Sequence, residues 1–96
     1  MKIQDAYISI NNLDMKESVR RFGPTWSYVF VNKQLEVVSV DKYKNDLSDI
    51  EEKKLADKYR GCVLIIARPG DYTSLDDLEE RVRSCKDTFE YIRKNP

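Results

Sequence analysis

The feature that most constrains this chain is a run of regularly spaced apolar residues close to its C-terminus. At alternating spacings of three and four positions, the run contains Leu75, Leu78, Val82, Cys85, Phe89 and Ile92. This spacing places them all on one side of an α-helix, and Thr73 or Ser74 is suited to cap its start. Each such side chain gains about 1.5–3 kcal/mol when fully buried, so the stripe must be covered. The sequence therefore predicts an amphipathic C-terminal helix that packs against other structure.

The sequence leaves open what covers this helix. Packing within its own chain, on a sheet face or beside other helices, is the usual behaviour of an amphipathic helix. Alternatively, two copies form a homodimer joined through their sheets or through their last helices, since spacings of three and four also suit a coiled-coil seam and symmetric dimers are common. In the remaining case, an aromatic sheet face stays open for a partner protein or for single-stranded nucleic acid. A homodimer is therefore one possible state of the protein.

Length and charge indicate one small globular domain. The chain has 96 residues, 41% of them hydrophobic and 35% charged, so we expect residues 1–96 to form a single domain with one core. Its 17 basic residues balance its 17 acidic residues, which gives a formal charge of zero. Affinity for nucleic acid arises largely from neutralising phosphates, so we do not expect nucleic acid to be a partner.

The residue type most often used in enzyme chemistry, histidine, is missing from the chain, and no catalytic motif is present. The absence of histidine removes the commonest general base and the commonest metal ligand. Cys62 and Cys85 lie inside apolar patterns, without the spacing of a zinc site. We therefore predict that the protein is not an enzyme, has no catalytic residue, and binds neither a metal nor a cofactor.

The cysteines and the apolar runs also indicate where the protein works. We interpret Cys62 and Cys85 as reduced core residues, which are typical of the cytoplasm. The longest apolar run, CVLIIA at residues 62–67, is far too short to span a membrane. We expect a soluble cytoplasmic protein with no membrane partner.

Local patterns predict helices and strands in the order β-α-β-β-α-β-α. Alternation predicts the first strand at residues 6–10, and the spacing of Met15, Val19 and Phe22 predicts the first helix. The later elements are strands at residues 25–31 and 35–40, a helix capped by Ser48, a strand at residues 62–68, and the C-terminal helix. We therefore predict an α+β fold, a ferredoxin-like β-α-β-β-α-β sandwich with an added C-terminal amphipathic helix.

Alternation along the predicted strands produces one strongly aromatic sheet face. If the aliphatic side chains of the strands point toward the helices, the opposite face carries Tyr7, Trp26, Tyr28 and Phe30. Exposed together, these rings form a larger apolar patch than a soluble monomer normally carries. We predict that these residues bind a partner.

The loop before the C-terminal helix is the candidate ligand site. It lies between a strand end and a helix N-terminus, a common place for anions and small ligands. Its ligand-binding candidates are Arg68, Asp71, Tyr72, Thr73 and Ser74. Arg68 would pair with a phosphate or carboxylate, the two hydroxyls would donate hydrogen bonds, and Tyr72 would stack. The alternative is a purely structural Pro-Gly turn and helix cap, with Arg68 and Asp71 in solvent.

The stretch ISINNLDMKESVRRFGP, residues 8–24, resembles the opening of an RNA-recognition motif. The resemblance rests on Ile8, Ile10, Asn12 and Leu13 at a strand end and on Phe22-Gly23 at a helix end. It implies a sheet that stacks bases on aromatic residues of the first and third strands. Ser9 stands where the first-strand aromatic is expected, and the strand LEVVSV has no aromatic residue. Base recognition by that route is therefore not expected.

Size, the absence of histidine and the aromatic face favour a small non-enzymatic protein-interaction factor. It would be an adaptor, inhibitor or immunity-type protein that acts by direct binding to a partner protein, and a phage or mobile-element inhibitor has this profile. The first alternative is a dimeric ligand-sensing regulatory domain that binds a small anionic metabolite or nucleotide. The second is a degenerate RNA-recognition-motif-like binder of single-stranded nucleic acid.

Overall fold

The computed structural model describes residues 1–11, 26–43 and 47–95. Within these residues lie three helices and a three-stranded antiparallel sheet, so the predicted α+β class is confirmed. The helices are α1 (Ile3–Ile10), α2 (Asp49–Lys58) and α3 (Leu75–Lys94). The strands are β1 (Trp26–Val31), β2 (Val37–Tyr43) and β3 (Val63–Ala67).

The sheet has the order β2-β1-β3, with β1 in the centre and antiparallel to both neighbours. β1 and β2 form the predicted hairpin, and Asn32 organises its turn. The Asn32 Oδ1 atom accepts hydrogen bonds from the backbone N–H groups of Gln34 and Glu36, at 3.0 Å each. Because the turn extends to Glu36, the second strand begins at Val37 rather than at Leu35.

One face of the sheet packs against α1 and α3 and forms the core. Its buried residues come from both helices and from all three strands: Ala6, Ile10, Val29, Val31, Val37, Ile65, Ala67, Leu78, Val82 and Cys85. The predicted apolar stripe of α3 is therefore covered within the chain at Leu78, Val82 and Cys85. Near the end of the helix this covering stops, and Ile92 is 54% exposed.

The prediction of a strand at residues 6–10 is wrong, because residues 3–10 form helix α1. On this helix Ala6 and Ile10 are fully buried in the core, whereas Ile8 is 56% exposed. Over so short a segment the apolar residues fit both the strand period and the helix period. Packing of α1 against α3 and β2 selects the helix.

The ferredoxin-like arrangement is not confirmed, since the segment predicted as its first strand is helical. The helix predicted around Met15, Val19 and Phe22 lies outside the described residues. The same holds for Asn12-Leu13 and for Phe22-Gly23 of the RNA-recognition-motif resemblance. Ile8 and Ile10, which that resemblance assigns to a strand, lie on α1.

The predicted caps of the two later helices are confirmed. At the start of α2, the Ser48 hydroxyl oxygen accepts a hydrogen bond from the backbone N–H of Glu51, at 3.3 Å. At the start of α3, the Ser74 hydroxyl oxygen accepts one from the backbone N–H of Asp77, at 3.2 Å. These bonds satisfy N–H groups that have no partner inside the helix, and they fix where each helix begins.

Candidate docking surface

The sheet face opposite the core lies against α2 and is only partly covered. A groove of about 410 Å³ runs between this face and α2. We call it the α2 groove, and its apolar lining includes Tyr28, Phe30, Leu55, Tyr59, Leu64 and Ile66. Two of these residues are aromatic residues of the central strand and two are aliphatic residues of β3. The other two are Leu55 of α2 and Tyr59, the C-cap of that helix.

Tyr59 makes specific contacts that hold the α2 end on the sheet. It follows the last turn of α2, and its ring stacks on Phe30 with centroids 4.0 Å apart and an interplanar angle of 18°. The Tyr59 hydroxyl donates to the Asp41 carboxylate at 3.2 Å, and the Ser39 hydroxyl donates to the same carboxylate at 2.6 Å. Ring stacking and this hydrogen-bond pair anchor one end of α2.

The rest of α2 contributes little burial. None of its residues is buried, and Ile50 in its first turn is 70% exposed. Leu55 is half-buried and lines the groove. Because the helix covers the sheet incompletely, the groove beneath it stays open.

Strand β3 borders the groove and presents apolar residues to solvent. Its side chains alternate sharply, with Ile65 at 3% and Ala67 at 0% exposure in the core, against 42% for Leu64 and 49% for Ile66 on the other face. On its outer side, β3 pairs with no strand among the described residues. Natural edge strands are usually protected by charge or proline, and the strand VLIIA has neither. Among the described strands, this uncharged edge with two exposed aliphatic residues is therefore left unpaired.

The predicted partner-binding aromatics separate into two groups. Trp26, Tyr28 and Phe30 do lie on one face of β1, away from the core. Tyr28 and Phe30 are only 5% and 4% exposed, because α2 and the neighbouring strands surround them. Trp26 is half-buried, and the Arg68 guanidinium lies over its ring at 4.3 Å from the centroid. Tyr28 and Phe30 therefore line the α2 groove and Trp26 packs with Arg68, so the three rings do not form one open patch.

Tyr7 does not belong to this face, and its assignment there is corrected. It lies on helix α1, where it packs against the core on the other side of the sheet. Its hydroxyl donates to the backbone carbonyl of Thr73 at 3.2 Å. Tyr7 thus ties α1 to the loop before α3.

The predicted ligand loop uses its polar groups to build itself and the helix start. The Asp71 carboxylate accepts a hydrogen bond from the backbone N–H of Arg68 at 2.7 Å, which closes the Pro-Gly turn. The Thr73 hydroxyl donates to the Asp77 carboxylate at 2.8 Å, while Ser74 caps α3. Arg68 lies on Trp26, as described above. This arrangement favours the structural interpretation of the loop over a ligand site.

Asn11 and Tyr72 attach the same loop to the body of the protein. The Asn11 Oδ1 atom accepts from the backbone N–H of Gly70 at 2.9 Å, and its Nδ2 donates to the carbonyl of Tyr72 at 3.4 Å. Tyr72 is half-buried against the core, and this burial raises the pKa of its phenol. The ring that was expected to stack on a ligand therefore packs partly against the core.

Reactive chemistry is weakly represented in the described residues. Burial raises the pKa of the Cys85 thiol, which keeps it protonated and a poor nucleophile. Burial also lowers the pKa of Lys42, whose ammonium group donates to the backbone carbonyl of Ser9 on α1. Within residues 1–11, 26–43 and 47–95, no group of His, Cys, Asp and Glu side chains converges in a way that could hold a metal ion.

No helix in the described part of the chain combines the length and apolar character needed to cross a bilayer.

No protein-family model, curated protein or solved structure matches this chain. The assignment of the α2 groove and the β3 edge as a candidate surface is therefore based on their geometry alone. Sequence reasoning missed the roles of Leu64 and Ile66 at this surface. Their signal was present, since CVLIIA is apolar on both faces and a strand of that kind must be covered on both.

Proposed function

We propose that this protein is a non-enzymatic interaction factor that binds an extended segment of a partner protein along the outer edge of β3. One observation carries the proposal: Leu64 and Ile66 are 42% and 49% exposed beside an edge that no described strand covers. A segment added as a further strand would place apolar side chains against these two residues. Those apolar side chains would lie on the α2 side of the sheet, next to the α2 groove.

The backbone geometry supports an extended partner rather than a helix or a small ligand. Alternate N–H and C=O groups of an edge strand point outward and pair readily with an added strand. In this mode the main-chain hydrogen bonds give affinity, and alternate side chains give specificity. Because β3 spans only Val63–Ala67, the interface would be small, as in transient regulatory complexes. An adaptor or inhibitor works through contacts of this kind.

Other functions expected from the sequence have less structural support. Base stacking needs open aromatic faces, and Tyr28 and Phe30 are only 5% and 4% exposed. To bind a ligand at the loop, Thr73 and Ser74 would have to give up the hydrogen bonds with Asp77 that fix the start of α3. Neither alternative is favoured by a specific contact of the described residues.

We propose the cytoplasm as the compartment in which this binding occurs. Cys62 and Cys85 are both free, and Cys62 is half-buried at the border of the α2 groove. A free thiol beside an interface suits a reducing environment, since an oxidising one promotes cross-linking.

The proposal is tested by selecting binders against the edge itself. A library of short random peptides is displayed and selected on the wild-type protein, and the recovered peptides are measured by fluorescence anisotropy. The test variant is Leu64→Lys with Ile66→Lys, and the control is Val38→Lys. Val38 is 43% exposed on β2, at the opposite edge of the same sheet, so it matches the exposure of the test residues.

We expect peptides with alternating apolar residues that lose at least about tenfold in affinity on the double variant, because the two aliphatic contacts are removed. Affinity for the Val38→Lys control should stay within about twofold. Equal loss on the control, or equal affinity for all three proteins, would reject the β3 edge as the binding surface. A homodimer is a distinct result: light scattering would give twice the mass of the chain, and the double variant would return it to a monomer.

A further inference from the structure

A second groove lies at the far end of α3, on the side of the sheet opposite α2. It has a volume of about 480 Å³ and runs between the β1–β2 turn and the last turns of α3. We call it the α3-end groove, and its apolar floor is formed by Leu35, Phe89 and Ile92. Leu35 and Phe89 pack against the core, whereas Ile92 is 54% exposed. The groove therefore provides an apolar floor that the chain itself covers only in part.

The rim of this groove is mainly basic. Lys33 of the turn and Lys86 and Arg93 of α3 surround the floor, and Glu90 is the single acidic residue among the described lining residues. Within the described part of the chain, none of these three cations forms an ion pair with a carboxylate. Elsewhere on α3, by contrast, Arg83 pairs with Glu79 at 3.4 Å. The rim thus carries local positive charge that no carboxylate of the described residues pairs with directly.

An unusual backbone conformation places Leu35 on the floor. Its φ is 61°, the only positive φ of a non-glycine residue in the described chain. A branched apolar residue rarely adopts this left-handed conformation, and strain of about 1–3 kcal/mol is typical at such positions. The Asn32 side chain imposes it through its hydrogen bonds to Gln34 and Glu36. The turn therefore holds one apolar side chain over α3 at a conformational cost.

We infer that the α3-end groove binds a short acidic segment of a protein partner through one large apolar side chain on Leu35, Phe89 and Ile92. Carboxylates that flank this side chain would pair with Lys33, Lys86 and Arg93. Charge complementarity carries this choice, because a basic partner would be repelled by three cations and attracted only by Glu90. The site is separate from the β3 edge, so it neither requires that proposal nor depends on its outcome.

Fluorescence anisotropy with defined peptides tests the inference. The probe is a fluorescein-labelled peptide of glutamates and aspartates around one central phenylalanine. Two matched probes replace the phenylalanine by alanine or the acidic residues by lysines. The test variant is Lys86→Glu with Arg93→Glu, and the control is Lys53→Glu with Lys54→Glu. The control pair is exposed on α2 and reverses the same amount of charge at a place remote from the groove.

We expect the acidic phenylalanine probe to bind the wild type, with an affinity that falls as salt is raised. The test variant should bind it at least about tenfold more weakly, and the control variant within about twofold of wild type. Replacement of the exposed Ile92 by serine should also weaken binding while leaving the rim charges in place. These results together would establish both the apolar and the electrostatic part of the site.

Several results would overturn the inference. They are undetectable binding of the acidic probe at low salt, equal loss on the α2 control, or equal affinity for the lysine-containing probe. If dodecanoate displaces the probe at a lower concentration than the unlabelled peptide does, the groove is a site for small amphiphiles instead. Stronger binding to phosphatidylserine vesicles than to the peptide would indicate a lipid surface as the occupant.

Discussion

The two faces of β3 show how unevenly this small sheet is covered. On the core face, Ile65 and Ala67 are 3% and 0% exposed beneath α1 and α3. On the other face, Leu64 and Ile66 in the same strand are 42% and 49% exposed. Both faces are equally apolar in sequence, so composition alone does not determine burial. The difference comes from the helices, since two helices cover the first face and α2 covers only part of the second.

The helices themselves explain this difference. α3 is long and buries Leu78, Val82 and Cys85 on the sheet, whereas α2 buries none of its residues. Burial of apolar surface is the main source of stability, so most of it should come from the core face. Exposed apolar surface contributes little to the fold, which is consistent with the proposal that the α2 face takes part in binding.

The sharpest test of this comparison truncates the same residue type on each side. Leu78→Ala creates a cavity at a fully buried position, and we expect it to lower the free energy of unfolding by about 2–5 kcal/mol. Leu64→Ala removes a side chain that is 42% exposed and should lower it by less than about 1 kcal/mol. Urea denaturation of both variants measures the difference. Similar losses would mean that the α2 face contributes to stability as much as the core face does.

Removal of the Tyr59 side chain should loosen α2 and leave the core face of the sheet intact. We expect Tyr59→Ala to lower stability by about 2–3 kcal/mol, because it removes both the stack on Phe30 and the hydrogen bond to Asp41. Amides of α2 should then lose protection against hydrogen exchange, while those of β1 and β3 keep it.

Tyr59→Phe is the matched control for this experiment. It keeps the ring on Phe30 and removes only the hydroxyl, so a loss of about 1 kcal/mol is expected. Protection of the α2 amides should then largely remain. If α2 stays protected in Tyr59→Ala as well, contacts other than this anchor hold the helix, and the contrast between the two faces is smaller than the structure indicates.

The parts of the fold that the sequence predicted correctly are those where several local signals agree. The start of α3 combines a serine cap, acidic residues in its first turn and an apolar stripe of constant spacing. The hairpin combines two β-rich segments with a polar turn. At residues 6–10 only a short alternation was available, and the buried residues Ala6 and Ile10 fit a helix just as well. Contacts with α3 and β2, which lie far away in sequence, decided that segment.

The candidate surfaces were less predictable for the same reason. The aromatic face of β1 follows from alternation, but its covering depends on where Tyr59 of the α2 end falls. Exposure of Leu64 and Ile66 depends on β3 being an edge strand, which is a property of the strand order. At the α3-end groove, Leu35 was expected to begin a strand. Its position over α3 follows from the Asn32 turn, whose hydrogen bonds no spacing rule reveals.

The smallest expected effect concerns two serines on opposite faces of the hairpin. Ser27 on β1 is fully buried on the core face, and its hydroxyl has no hydrogen-bond partner among the described residues. Ser39 on β2 lies on the α2 face, and its hydroxyl donates to Asp41 at 2.6 Å. A buried hydroxyl without a partner costs stability, whereas a bonded one contributes to it.

The same substitution should therefore have opposite effects at these two positions. We expect Ser27→Ala to raise the free energy of unfolding by up to about 1 kcal/mol, because it removes an unsatisfied polar group from the core. Ser39→Ala should lower it by about 1 kcal/mol, since Asp41 loses a charge-assisted hydrogen bond. Thermal and urea unfolding of the two variants measure the signs. If Ser27→Ala is clearly destabilising, its hydroxyl has a partner in solution, and the core face is less apolar than the described contacts indicate.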